Sequence, residues 1–443
     1  MKYLKQLSAL LVLSLALIAC GGSAAPTTPE PTAPVATAPP AAATLPPPVI
    51  NVEPTLEPNT DGGGSDPAAP QTLPDEAPEP ETAAPQALYP WPTDRFGYGI
   101  QSHATIGDPA MTMNVIANQL HLDWVKVQFQ WALVQPTAEA KDWYHYDGVV
   151  DEASKHGLNL MFSVVNAPAW TRSANNIEGP PDDYNLYANF VSELVQRYAG
   201  KVHAIEVWNE QNLDREWATA NGISPEDYVD FLARAYQAIK AIDPNIIVIS
   251  GALSPTGPGD WVRWADDFEY MDRMLAAGAL DYADCVGAHH NGYNIPPDVP
   301  YDQAGSLPEA ATASFRGPFE NPYHLWSFKT TLDGYVERIR QYDLDIKLCV
   351  TEFGWGSSEG YDAYPSGFEF VNDNTLQEQA DYIVQAFQQM HASGDVWLAF
   401  LFNFDFGNKG GGPTDDPVPY SIVDTIGAPR PAFGAVAGME KLP

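Results

Sequence analysis

Residues 202–212 read VHAIEVWNEQN, an apolar run that carries one glutamate and then breaks into polar residues. The run has the composition of a buried β-strand, with Glu206 inside it and Glu210 just past its end. Burying a carboxylate in apolar surroundings is costly unless another group pairs with it or uses it. Glu210 is therefore either a solvated residue beyond a strand end or one half of a catalytic pair.

Seven other apolar runs alternate with amphipathic segments between residues 95 and 440. Ser224, Pro225 and Glu226 follow the order of a helix N-cap, a first-turn proline and an acidic first turn. Eight strand–helix units predict an α/β fold, a (β/α)8 TIM barrel, with an open doubly wound sheet as the alternative. The other strands are predicted near 96–100, 123–130, 158–164, 246–250, 284–289, 347–352 and 396–402, and the helices near 110–120, 147–156, 184–199, 225–242, 264–277, 329–342, 375–393 and from Pro431 onward.

The first 90 residues differ in composition from the rest of the chain. Residues 1–19 begin with two lysines and continue as an apolar stretch too short for a membrane span, which is typical of a secretory signal. The segment LIAC at 17–20 resembles the lipobox of bacterial lipoproteins, which implies lipidation of Cys20; an ordinary secretory signal is the alternative. Residues 21–90 hold 18 prolines, nine acidic residues and no Lys or Arg, so they are predicted to be a disordered Pro/Ala/Thr-rich linker.

These features divide the chain into three parts. We expect a lipoprotein signal peptide at 1–19, the lipidated Cys20 with its linker at 20–90, and one barrel domain at 91–443. The predicted location is the bacterial cell surface, where the lipid on Cys20 anchors the protein to the membrane.

Charge, motifs and cysteine positions limit which ligands and cofactors are expected. A net charge of −35 argues against nucleic acid as a ligand. No GxGxxG or phosphate loop opens a predicted helix, and Cys and His show no metal-ligand spacing apart from the adjacent pair His289 and His290, so neither a cofactor nor a metal is predicted. Cys285 and Cys349 lie at apolar strands, where we expect two buried free thiols, with a disulfide between neighbouring strands as the alternative.

Polar and aromatic residues collect at the predicted C-terminal ends of the strands, where a TIM barrel carries its active site. Two of them are glutamates, Glu210 after the fourth strand and Glu352 at the seventh. These strand ends face each other across a barrel mouth, so the two carboxylates are expected to converge, as retaining glycoside hydrolysis requires. The remaining candidates are Gln101, His103, Gln128, Gln130, Trp131, Asn166, Pro168, Trp170, Asn209, His289, His290, Tyr293, Trp355, Asn403 and Asp405.

Several segments together resemble clan A of the retaining glycoside hydrolases, and within it the family 39-type enzymes. The strongest are WNE at 208–210 and TEFGW at 351–355. FGYG at 96–99, APAW at 167–170, VGAH at 286–289 and GAPRPAF at 427–433 also fit, so the likeness spans about 91–440.

The resemblance implies a role for each matching residue. Glu210 would be the general acid/base and Glu352 the nucleophile, while Asn209 would hydrogen-bond the sugar 2-hydroxyl. Tyr293 or a strand-six histidine, of which we favour His289 over His290, would steady Glu352. Three tryptophans would offer their faces to sugar rings, with core packing as the alternative for each; they are Trp131, Trp170 and Trp355.

The sequence also departs from the family pattern. Many clan members carry an arginine near the end of strand two, where this chain has Lys126. Period-two alternation places Glu206 on the same strand face as Glu210, inside the barrel. A buried carboxylate requires a partner, and Lys126 is the candidate.

We therefore expect a lipid-anchored retaining glycosidase whose substrate is a poly- or oligosaccharide. Burial and the neighbouring charge of Glu352 are expected to raise the pKa of Glu210. The segment 291–328 should overhang one side of the cleft, for either endo or exo action. The alternative function is a catalytically silent carbohydrate-binding lipoprotein on the same scaffold.

Overall fold

The structure, a computed structural model, describes residues 89–173 and 179–443. The predicted signal peptide, Cys20 and the linker up to residue 88 lie outside the described residues. Every helix in the described ranges is too short or too polar to serve as a membrane span.

The described residues form one sheet of eight parallel strands in the order β5-β4-β3-β2-β1-β8-β7-β6. A bridge between Ile249 and Cys285 closes the ring between β5 and β6. Gly287 permits this approach, because a Cβ there would lie 2.1 Å from the carbonyl oxygen of Ser250. The predicted TIM barrel is confirmed, and the open sheet is excluded. The strands are β1 (Gly97–Gln101), β2 (Trp124–Gln130), β3 (Asn159–Val165), β4 (Ala204–Val207), β5 (Ile247–Ser250), β6 (Val286–Gly292), β7 (Leu348–Trp355) and β8 (Val396–Leu401).

Helices cover the outside of the ring, and local sequence sets where many of them begin. Ser224 caps its helix as predicted, since its side chain accepts a hydrogen bond from the backbone N–H of Asp227. Thr375 and Glu378 form a capping box at another. The α-helices of the described ranges are α1 (Pro109–Asn118), α2 (Trp131–Val134), α3 (Tyr144–Lys155), α4 (Tyr184–Arg197), α5 (Pro225–Ile242), α6 (Asp267–Ala276), α7 (Gly317–Glu320), α8 (Phe328–Ile339), α9 (Leu376–Ser393), α10 (Phe406–Lys409) and α11 (Pro431–Gly438).

The N-terminal end of the barrel is filled by apolar side chains and a disulfide. Trp91, Trp124 and Trp397 form a buried cluster there with Cys285 and Cys349. The two cysteines are bonded to each other across β6 and β7, with their Cα atoms 5.8 Å apart. The expectation of two free thiols is therefore wrong: β6 and β7 are neighbours in the sheet, and their register sets Cys349 beside the start of β6.

Candidate active site

Glu210 and Glu352 are both fixed at the C-terminal end of the barrel. Glu352 lies within β7, and Glu210 follows the end of β4 by three residues. Trp208 and Glu210 have positive φ angles of 76° and 44°, so the chain turns sharply where β4 ends. The backbone N–H of Glu210 donates to the carbonyl of Ala252 at 2.9 Å, which ties this turn to the segment after β5.

His289 lies close to both glutamates through the same ring nitrogen. Its Nδ1 is 3.2 Å from Glu210 Oε1 and 4.0 Å from Glu352 Oε2. His289 and Glu352 are register partners on β6 and β7, which explains their proximity. His290 faces the other way, with Nε2 3.1 Å from the carbonyl of Leu325. The structure thus places His289, and not His290, against the paired carboxylates.

Lys126 joins Glu352 to the buried Glu206. Its Nζ lies 3.0 Å from Glu352 Oε1 and 3.3 Å from Glu206 Oε2, and it is fully buried. Burial alone would lower the pKa of Lys126, but the two carboxylates outweigh that effect and raise it, so the amine stays charged. Thr351 donates a further hydrogen bond to Glu206 at 2.6 Å. The prediction that Lys126 is the partner of Glu206 is confirmed.

Arg215 is the site residue that sequence reasoning missed. Its Nη2 lies 2.9 Å from Glu210 Oε2. Burial alone would raise the pKa of Glu210, but the hydrogen bond with His289 and the charge of Arg215 lower it to about 2. The expected rise in the pKa of Glu210 is therefore wrong for the site in this structure. No motif marks Arg215, because its role depends on how the turn after β4 folds back.

The acidic groups also raise the pKa of a basic neighbour, His289. Burial would lower the pKa of His289, but the charge of Glu352 and the hydrogen bond with Glu210 outweigh it and raise the pKa. Three carboxylates thus face three basic groups in the barrel mouth. This balance makes the burial of so many charges tolerable. The groups are Glu206, Glu210 and Glu352 on one side and Lys126, His289 and Arg215 on the other.

Asn209 adds an unsatisfied polar atom beside the carboxylates. The residue is 7% exposed, and its Oδ1 accepts no hydrogen bond from any described residue. Buried amide oxygens are rarely left without a donor. A ligand hydroxyl would supply one.

Tyr293 borders the site through packing. Its ring meets those of Phe315, Trp326 and Phe370, with the Phe315 centroid 6.2 Å away. Burial, then the charge of Glu210, raise the pKa of its hydroxyl. Among the described hydrogen bonds none joins Tyr293 to Glu352; Lys126 and His289 are the groups that hold that carboxylate. The segment 291–328 thus contributes aromatic side chains over the ends of β6 and β7.

Two of the three predicted sugar-stacking tryptophans are instead core residues. Trp131 and Trp355 are each 1% exposed. Trp131 is stacked on Phe190, and the ring of Trp355 lies where a Cβ on Gly292 would be. The prediction that they present faces to sugars is therefore wrong, because both rings are already covered. Trp170 is partly exposed and keeps that prediction open.

A second buried acidic cluster comprises Asp266, Asp267 and His324, whose ligand-type atoms lie within 4.8 Å of one another. Protein donors already occupy it: Asp267 accepts hydrogen bonds from His324 and Tyr335, and Asp266 caps α6 and accepts from Tyr323. This cluster ties α6 to the neighbouring segments.

Comparison with known proteins agrees with this architecture. No family model matches the chain. The β-xylosidase of Geobacillus stearothermophilus is 32% identical over 96 residues, which is 20% of this chain and 18% of that protein. The chain thus matches about a fifth of the curated relative.

Two solved structures share the fold. One is a family 39 glycoside hydrolase from the gut symbiont Bacteroides cellulosilyticus WH2, with a TM-score of 0.56 and 21% identity, covering 78% of this chain and 63% of that one. Another is xylanase 10B from Thermotoga petrophila RKU-1 in complex with xylobiose, with a TM-score of 0.50 and 14% identity, covering 78% and 93%. The fold is thus a parallel barrel like those of these two glycoside hydrolases.

Proposed function

We propose that this chain is a retaining glycoside hydrolase that cleaves O-glycosidic bonds by double displacement. The observation that carries this proposal is that Glu210 and Glu352 both approach Nδ1 of His289, at 3.2 and 4.0 Å. Because both lie within 4.0 Å of one imidazole nitrogen, their nearest oxygens are at most about 7 Å apart. That bound admits the spacing of about 5–5.5 Å in retaining enzymes and also reaches the lower end of the range of about 6.5–9.5 Å in inverting ones. The choice of retention therefore rests on the resemblance of the segments WNE and TEFGW to retaining enzymes.

In the first step Glu352 attacks the anomeric carbon and forms an ester with the sugar, while the bond to the leaving oxygen breaks. Glu210 gives that oxygen a proton. The ion pair with Lys126 holds Glu352 in position for the attack. The proton on the hydrogen-bonded pair Glu210 and His289 is the nearest one available for transfer.

In the second step Glu210 acts as a base. It takes a proton from water, whose oxygen attacks the anomeric carbon and releases Glu352. Asn209 Oδ1 accepts a hydrogen bond from the sugar 2-hydroxyl, a contact that strengthens as the transition state forms.

We further propose a cell-surface location with a lipid on Cys20. The buried disulfide between Cys285 and Cys349 supports export, because such bonds persist mainly in oxidising compartments. Replacing Cys20 with alanine should release the protein from membranes into the soluble fraction. Retention of the variant on membranes would refute the anchor.

The activity is tested on a panel of polysaccharides and aryl glycosides, with β-xylosides first because the relatives named above include a β-xylosidase and a xylanase. NMR of the product from the first turnovers should show retained anomeric configuration, and Glu210→Gln should lose most activity. An inverted product would overturn the mechanism. Binding of glycans without turnover would favour the carbohydrate-binding alternative.

A further inference from the structure

Each carboxylate oxygen of Glu210 already contacts a protein side chain. Oε1 faces His289 at 3.2 Å, and Oε2 faces Arg215 at 2.9 Å. The residue is only 3% exposed. Because Glu210 is this buried and each of its oxygens already faces a protein group, a glycosidic oxygen can approach it only if one of these partners moves.

Of the two partners, Arg215 is the one able to move. His289 is 1% exposed and lies within β6, whereas the Arg215 side chain is 31% exposed. The described hydrogen bonds of the Arg215 guanidinium go to Glu210 alone, and its Nε has no partner among the described residues. Arg215 can therefore rotate into solvent, but the buried Glu210 side chain, 4% exposed, loses a cation when it does, so the arriving substrate has to offset that cost.

The backbone beneath Arg215 is firmly held. The N–H of Asp214 donates to the carbonyl of Arg263 at 2.9 Å, and Trp208 Nε1 donates to the carbonyl of Glu216 at 2.8 Å. A change of side-chain rotamer is therefore enough to clear Glu210, without any movement of the turn.

We propose that Arg215 is a displaceable latch on the general acid: it covers Glu210 Oε2 in the empty site, and the leaving-group end of the substrate displaces it. Arg215 is thus a positioning residue, and this inference rests on the proposed glycosidase function. The latch makes proton donation depend on occupancy, because Glu210 loses a cation only when substrate arrives.

The groups around Glu210 fix the direction of this effect. His289 and Glu352 face it from β6 and β7, and Tyr293 lies beyond the end of β6; Lys126 and Glu206 lie below on β2 and β4. With Arg215 in place, the pKa of Glu210 is held at about 2. Without Arg215, the interaction with His289 is what remains to lower the pKa of Glu210 against the effect of burial. The pKa of Glu210 therefore rises, and the carboxylate binds a proton more readily.

The first test measures the titration of Glu210 in the free protein and needs no substrate. The ¹³Cδ signal of Glu210, assigned by its loss in Glu210→Gln, should stay ionised down to about pH 4 in the wild type and titrate at least about one unit higher in Arg215→Gln. Arg263→Gln is the matched control, since Arg263 is an exposed arginine paired with Asp260 near the same turn. Equal titration in the wild type and Arg215→Gln would overturn the latch.

The second test is kinetic and uses a phenyl glycoside of whichever sugar the panel identifies. Arg215→Gln should lower KM about five-fold, because substrate no longer has to displace a cation from Glu210, and should shift the pH profile of kcat/KM more than that of kcat. Arg263→Gln should change neither. A raised KM in Arg215→Gln would show that Arg215 binds substrate instead. Loss of the glycosidase proposal itself would appear separately, as full turnover by Glu352→Ala.

Discussion

The two ends of the barrel bury different kinds of side chain. The C-terminal end buries three carboxylates and balances them with Lys126, Arg215 and His289. The N-terminal end is filled by a cluster of tryptophans, other apolar side chains and a disulfide. Buried charges add little net stability, whereas apolar burial and a disulfide stabilise directly. Substitutions at the two ends should therefore separate activity from stability.

The largest expected difference between activity and stability is that of Glu352→Ala. Turnover of the identified substrate should fall by about 10⁴- to 10⁶-fold, the cost of losing a nucleophile. The unfolding temperature should hold or rise, because Lys126 keeps Glu206 as its partner. Glu369→Ala, at an exposed glutamate after β7, is the control for both measurements. A large drop in unfolding temperature would show that Glu352 itself stabilises the fold.

Lys126→Met should damage both properties. The substitution leaves Glu206 and Glu352 without their shared cation, so chemical denaturation should show a loss of about 3–5 kcal/mol, along with activity. Lys201→Met removes an exposed ion pair with Asp151 and should cost about 1 kcal/mol or less. Similar losses in the two variants would contradict the assignment of Lys126 as the buried counter-ion.

The double variant Cys285→Ala with Cys349→Ala tests the opposite end. The bond closes a loop with a sequence separation of 64, so its loss should cost about 4 kcal/mol of unfolding free energy. Activity per folded molecule should persist, since neither cysteine touches the carboxylates. A proportionate loss of kcat would instead mean that the disulfide positions His289 or Glu352.

The smallest expected effect is a pH dependence centred on His289. Its folded-state pKa is raised above the ordinary 6.5, so its charge stabilises the protein fully below that pH and progressively less as pH rises through the folded value. The stability difference between wild type and His289→Gln should shrink as the pH rises from about 6.5 through the raised folded-state pKa of His289. A difference that does not vary with pH would indicate a neutral His289.

The sequence predicted the barrel well because buried parallel strands are continuous apolar runs and their helices carry readable caps. β4 and β7 were predicted close to their observed bounds, so the convergence of Glu210 and Glu352 followed from strand order alone. The pairing of Glu206 with Lys126 followed from alternation and the cost of a buried charge.

What the sequence did not give depends on contacts between loops and on neighbouring strands. Arg215 lies five residues after Glu210 and reaches it only because the turn folds back. The disulfide required the register of β6 against β7. Trp131 and Trp355 carry aromatic rings at the predicted ends, but whether such a ring faces the cleft or the core depends on its rotamer and its neighbours.

The segment that starts the described chain has a consequence for the order of folding. Tyr89 donates its hydroxyl to Asp284 and packs against Trp397, while Trp397 Nε1 bonds to the carbonyl of Pro92, 305 residues away. The ribosome therefore synthesises this segment long before Asp284 and Trp397. Such non-local contacts form late, so closure of the N-terminal end waits for β8 to be synthesised.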